Sequence, residues 1–109
     1  MASVKTSGSK TLAATGTAED LATVTDEGQY QLVVDANALV DGDTLTLSIY
    51  GKARSSDTER LQYEAKFANA QSVPLLTSVA VVSPHSTRYE LNQTGAAARA
   101  FPWAVYEID

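Results

Sequence analysis

The sequence predicts an all-β fold: a single β-sandwich, jelly-roll-like, of about seven or eight short strands, with an extended N-terminal arm. Three observations carry that expectation. Apolar and polar residues alternate with period two in several separate stretches, which is the mark of strands with one face buried. Turn-forming residues separate those stretches at short, regular spacing, as in sandwiches. The 109 residues suffice for one domain, and no internal repeat, low-complexity linker or second domain is visible.

Taken in order, Met1 to Lys10 (MASVKTSGSK) is small and polar, with Val4 as its single large apolar residue. Such a stretch packs no core of its own, so residues 1–10 read as an arm or a frayed tail ahead of a sandwich domain at 11–109. From Thr11 to Thr25, Leu12, Leu21 and Val24 are thinly spread, and Thr17 with Asp20 could pass for a helix-start capping box. Threonines at 11, 15, 17, 23 and 25 favour extended structure instead, giving edge strands near 10–14 and 20–25. After Gly28, Tyr30, Leu32 and Val34 share one face of a strand and Gln29, Gln31 and Asp35 the other. DANALVDGD, residues 35–43, suggests a single helical turn around Leu39-Val40 and a tight turn at Asp41-Gly42-Asp43.

Leu45, Leu47 and Ile49 alternate with Thr44, Thr46 and Ser48, and Leu61, Tyr63, Ala65 and Phe67 alternate with Arg60, Gln62, Glu64 and Lys66. With the Ser55-Ser56-Asp57 loop between them, these form an expected antiparallel hairpin with one wet face. Val73 to Ser83 carries no charge, and Pro74 confines its start to a strand end, an edge or a bulge. It reads as a central strand covered on both sides, or as a strand with one face in an assembly interface. Pro84 to Ser86 predicts a turn, Arg88 to Gln93 a strand with Tyr89 and Leu91 inward, and Thr94 to Ala100 a loop. In FPWAVYEI, Phe101, Trp103 and Val105 lie on one face and Tyr106 and Ile108 on the other, so this last strand anchors the core.

The core is lean. Leu, Ile, Val and Phe supply 24 of the 109 residues, close to the level of about 20% below which chains tend to disorder. A chain so filled gains from neighbours, and an oligomer or lattice is expected. The net charge is −5, and from Thr11 to Gly51 there are seven acids and no base. Scattered bases on an acidic chain argue against nucleic acid as a partner. There is no cysteine, hence no disulfide or thiolate metal site. Nothing resembles a signal-peptide h-region or an apolar stretch of about 20 residues, so neither classical export nor a membrane partner is expected.

Candidate chemistry is sparse. Any imidazole-based step must use His85, the only histidine, which sits in a turn and has no nucleophile-elbow motif to serve. Asp35, Asn37, Asp41 and Asp43 invite a calcium reading, but an EF-hand loop from Asp35 would need glycine where Val40 stands and glutamate where Thr46 stands. The neighbouring acids Glu19-Asp20 and Asp26-Glu27 would point to opposite faces of a strand, unsuited to paired carboxylate catalysis. Asn92-Gln93-Thr94 matches a glycosylation sequon, a frequent chance match, and the dispersed glycines form no phosphate loop. No catalytic, cofactor or metal residues are therefore assigned. Tyr50 and Tyr106 fall out of phase with the main apolar faces and are the aromatic candidates for a contact surface.

In order, the thin Thr/Ala-rich start, GQYQLVVDANAL, GDTLTLSIYGK, YEAKFANAQ and PHSTRYELNQTGAAARAFPW resemble the small capsid decoration (cement) proteins of tailed bacteriophages over nearly the whole chain. The most specific pieces are Phe101-Pro102-Trp103 after the Gln93-Thr94-Gly95 loop, and the spacing of Asp35, Gly42-Asp43 and Lys52. The resemblance implies a β-sandwich virion protein, assembled in the bacterial host cytoplasm, that sits on the outer capsid surface. It further implies a homotrimer bridging neighbouring major capsid subunits, with no cofactor and no enzymatic activity. Val4 and Lys5 in the arm, Val79 and Val81 in the uncharged strand and Arg99 in the last loop are the contact residues expected on that reading. The competing readings are a tail or fibre module that holds host glycan or protein through Tyr50 and Tyr106, and a hydrolase using His85.

Overall fold

The computed structural model describes residues 2–83 and 85–108. Met1 of the expected arm, Pro84 of the expected turn and Asp109 of the expected domain lie outside the described residues. Among the described residues, nine strands run in the order β1 (Ala2–Leu12), β2 (Glu19–Val24), β3 (Gly28–Asp35), β4 (Thr44–Gly51), β5 (Arg60–Ala68), β6 (Leu75–Thr77), β7 (Val81–Ser83), β8 (Thr87–Thr94) and β9 (Arg99–Ile108).

Their pairing is that of one long antiparallel ribbon folded at its middle. The β4–β5 hairpin, registered from Thr44↔Ala68 to Gly51↔Arg60, is the innermost rung. Outward from it, β3 pairs with β6 and β7, β2 with β8, and β1 with β9. Rolling the ribbon on itself sets β3 beside β9 and β4 beside β8. The result is two sheets. Sheet A has the order β1-β9-β3-β6, with β7 also on β3, and sheet B the order β2-β8-β4-β5. This is the expected jelly roll, a two-sheet way of disposing of many short antiparallel strands.

The alternation read from the sequence fills the space between the sheets. Tyr30, Leu32 and Val34 of β3, Leu45, Leu47 and Ile49 of β4, Tyr89 and Leu91 of β8, and Phe101 and Val105 of β9 are buried, with Trp103 partly buried against them. At about 1.5–3 kcal/mol for each fully buried large apolar side chain, this single layer is the main favourable term holding the sheets together. Two hydroxyls at the buried tyrosines find partners close by in the chain. Tyr30 Oη donates to the Asp26 carbonyl at 3.2 Å, and Thr87 Oγ1 donates to Tyr89 Oη at 2.8 Å.

Four expectations are corrected. Residues 2–10 do not stand off as an arm: β1 is extended, but it is hydrogen-bonded along β9 from Ala2↔Ile108 to Leu12↔Arg99, and the expected boundary after Lys10 falls inside it. The bare edge of β9 offers a row of backbone groups that a polar strand can satisfy without contributing to the core, and the expected 10–14 strand is the end of this one. Val73 to Ser83 is not a central strand. It breaks into β6 and β7 on the outer edge of β3, because Ser78 interrupts the ladder with its own bonds to Leu32: its N–H donates to Leu32 O at 2.8 Å, and its Oγ accepts from Leu32 N–H at 2.9 Å. Residues 36–43 form two turns and no helical turn, closed by Leu39 N–H to Ala36 O at 3.0 Å and Asp43 N–H to Val40 O at 3.1 Å. Leu61 leaves the core phase of β5, at 48% exposure, because a register shift opposite Ile49/Tyr50 inserts Gln62 as an extra residue.

Candidate functional site

With inward positions fixed by burial, the opposite parity of each strand defines the two outer faces, and they differ in chemistry. On sheet A the outward residues include Val4, Ser7 and Ser9 of β1, Pro102, Ala104 and Tyr106 of β9, Gln31, Val33 and Asp35 of β3, and Leu75 and Thr77 of β6. Of these, Asp35 alone is charged. Val4 and Leu75 are more than half exposed, and Val33, Asp35, Leu75, Pro102, Ala104 and Tyr106 line a shallow depression of 200 Å³ in this face.

Sheet B presents the reverse. Its outward residues are Thr44, Thr46, Ser48 and Tyr50 of β4 and Arg88, Glu90, Asn92 and Thr94 of β8, flanked by Asp20, Glu64 and Lys66. Arg88 is the hub. Its guanidinium reaches Asp20 Oδ1 at 2.7 Å and Glu59 Oε1 at 2.8 Å, pairs with Glu90, and lies 4.4 Å from the Tyr50 ring centroid. These acids are satisfied inside the molecule, and the Tyr50 ring face is taken by a cation.

The sequence-derived contact residues separate accordingly. Val4 and Tyr106 are brought together as a cross-strand pair on the outer face of sheet A. Lys5 occupies the β1 bulge and pairs with Asp26 in the β2–β3 turn, an interaction that raises its pKa. Val79 is exposed in the β6–β7 connection, whereas Val81 is buried in the core at 5% exposure and offers no contact surface. Arg99 is committed within the fold: its Nε donates to Oδ2 of the buried Asp43 at 2.8 Å. That bond, helped by the Val40 N–H, holds the Asp43 carboxyl below the usual carboxylate range against the opposing effect of burial. Gln93, fully buried, ties down the same end by donating to Ala97 O at 2.9 Å and accepting from Arg99 N–H at 3.3 Å. Tyr50 and Tyr106 stand on opposite sheets, so they form no common sugar platform.

Among the described residues, no hydrogen bond or ion pair engages His85, and no cluster of three or more His, Cys, Asp or Glu side chains has metal-binding geometry. The acids of the calcium reading serve as turn fasteners. Asp35 Oδ1 accepts from Asn37 N–H at 3.0 Å, and Asp41 Oδ1 accepts from Ala70 N–H at 3.2 Å. Asn92 lies within β8, opposite Thr46 of β4, rather than on a loop. No helix among the described residues is long and apolar enough to cross a membrane.

Sequence reasoning missed Val33, Leu75, Pro102 and Ala104. The alternation of FPWAVYEI already set Tyr106 apart from the core residues, but only the pairing of β9 with β1 and β3 gathers these side chains into one surface.

No family model matches the chain, and no curated protein matches it in sequence. Among solved structures, a chain from the structure of infectious bursal disease virus, Gt strain, is similar in fold, with a TM-score of 0.52 and 13% identity over 98% of this chain and 32% of that one. A chain from the Gx strain structure gives a TM-score of 0.45 and 14% identity over 96% of this chain and 30% of that one. The chain thus spans about a third of the length of the viral chains it matches, and the first of these likenesses shows that its β-sandwich is a fold also used in a virus structure.

Proposed function

We propose that this protein is a non-enzymatic structural component of a virion, a decoration protein that lies on the outer surface of a tailed-phage capsid and bridges major capsid subunits. The observation that carries the reading is the outer face of sheet A: a broad, nearly uncharged surface on a chain of net charge −5, opposite a charged face on which Arg88 gathers Asp20, Glu59 and Glu90. Surfaces that carry few charges and hold a tyrosine are the kind that protein interfaces use. The fold supports the reading without deciding it, since jelly rolls serve viral capsids and lectins alike.

Docking in this reading uses Val4 and Tyr106 as parts of a sheet face, not a free arm. Shell subunits can separate under internal pressure only by breaking the contacts this face makes, and many copies on a lattice add up even where each contact is small. A homotrimer would present three such faces at once. Mass-spectrometric quantification of the polypeptide in purified particles of the phage that encodes it tests the proposal. A decoration protein is present in hundreds of copies per particle; a few copies, or none, would contradict it.

A further inference from the structure

The cations of this acidic chain are mostly spent inside it: Lys5, Lys10, Arg54, Arg88 and Arg99 each pair with a carboxylate. Lys52, Arg60 and Lys66 make no such pair among the described residues, and Lys52 and Arg60 together line one open cavity of 390 Å³ at the edge of the sandwich where β5 of sheet B approaches β7 of sheet A. The rest of its wall is largely apolar: Ala53, Leu61, which the β5 register shift turns outward, and Val82, with 48% and 57% of the latter two side chains exposed. The floor is fixed, because Gln62 Nε2 donates to Val82 O at 3.0 Å and ties the two sheet edges together. Gly51 belongs to the same construction: a β-carbon there would collide with the Gln62 side-chain oxygen, so glycine lets Gln62 cross.

We infer that this cleft binds an acidic segment of a protein partner, one that places a carboxylate between Lys52 and Arg60 and an adjacent apolar side chain against Leu61 and Val82. Two cations without internal partners, set beside exposed leucine and valine, complement an anionic and apolar ligand. The volume is within the range of small binding pockets, about 300–1,000 Å³. The site is separate from the middle of the sheet A face, and its test uses the purified chain alone, so its outcome does not depend on the virion assignment.

The full-length protein, ¹⁵N-labelled, is titrated with a capped tetrapeptide alternating aspartate and leucine, and amide shifts are followed by NMR at low salt. Saturable shifts centred on Gly51–Ala53, Arg60–Gln62 and Val82 are expected. A peptide with asparagine for aspartate should bind at least tenfold more weakly, as should the K52Q/R60Q double variant, whose remaining spectrum should match wild type. Lys66→Gln, on the outward face of the same strand, should change affinity less than twofold. Absence of saturable shifts at the cleft, equal binding of the asparagine peptide, or undiminished binding to the folded K52Q/R60Q variant would overturn the inference.

Discussion

Asp43 is the polar residue on which one end of the sandwich converges. At 2% exposure it accepts from Arg99, closes the turn with Val40, and offers its carbonyl to Asn69 N–H at 2.8 Å, so it holds three loops at one end of the sandwich. Removing the carboxylate as Asp43→Ala should cost about 2–3 kcal/mol by equilibrium denaturation, at the lower end for a broken buried pair because Arg99 keeps some contact with water. Its folded pKa is depressed, so its contribution is fully present above the unfolded value of about 4 and disappears as pH falls through the folded value. Asp43→Asn should accordingly flatten the acid limb of a Tm-versus-pH curve, and an unchanged slope would refute the linkage. Gly95→Ala should destabilise by about 1–3 kcal/mol, because a β-carbon there runs into the Asp43 carboxylate and the residue holds φ of 155°. None of this was legible in the sequence. Asp43 reads there as one turn residue among several, and Arg99 as an exposed loop cation, because the bond between them spans 56 positions.

Among the elements, β1 is the least secured. Its backbone bonds to β9 contribute about 1 kcal/mol each, against about 1–2 kcal/mol of ordering entropy per residue, and of its described side chains Leu12 alone is buried. Ion pairs from Lys5 to Asp26 and Lys10 to Glu19 add a salt-sensitive fastening. Hydrogen exchange should therefore show β1 amides far less protected than those of β3, and less so as salt rises; equal protection would contradict this balance. Deleting residues 1–10 should leave a folded sandwich, because Leu12 stays, but one with a bare β9 edge that self-associates in sedimentation experiments. Strands with strong alternation, such as β3, β4, β8 and β9, could be read directly, because period two with one buried face leaves a mark in the sequence. β1 could not, because its partner is specified by the topology of the roll and not by its own side chains. β6 and β7 misled for the opposite reason: an uncharged run looks like a central strand, yet here Leu75, Val79 and Val82 face outward at a sheet edge.

On the scale of the whole molecule, the sandwich measures 40 × 31 × 18 Å and has one charged and one nearly uncharged broad face. Fold class followed from composition and alternation. The proposed docking face did not, since its residues come from four strands that meet only once the ribbon has rolled up. Placing a charge on that face should leave stability within about 0.5 kcal/mol of wild type while removing the proposed attachment. The deciding measurement is co-sedimentation of purified Tyr106→Asp and Thr46→Asp proteins, one substitution on each outer face, with phage particles that lack the wild-type polypeptide. Loss of attachment by Tyr106→Asp together with wild-type occupancy by Thr46→Asp is the predicted result; normal attachment by Tyr106→Asp would contradict docking through sheet A.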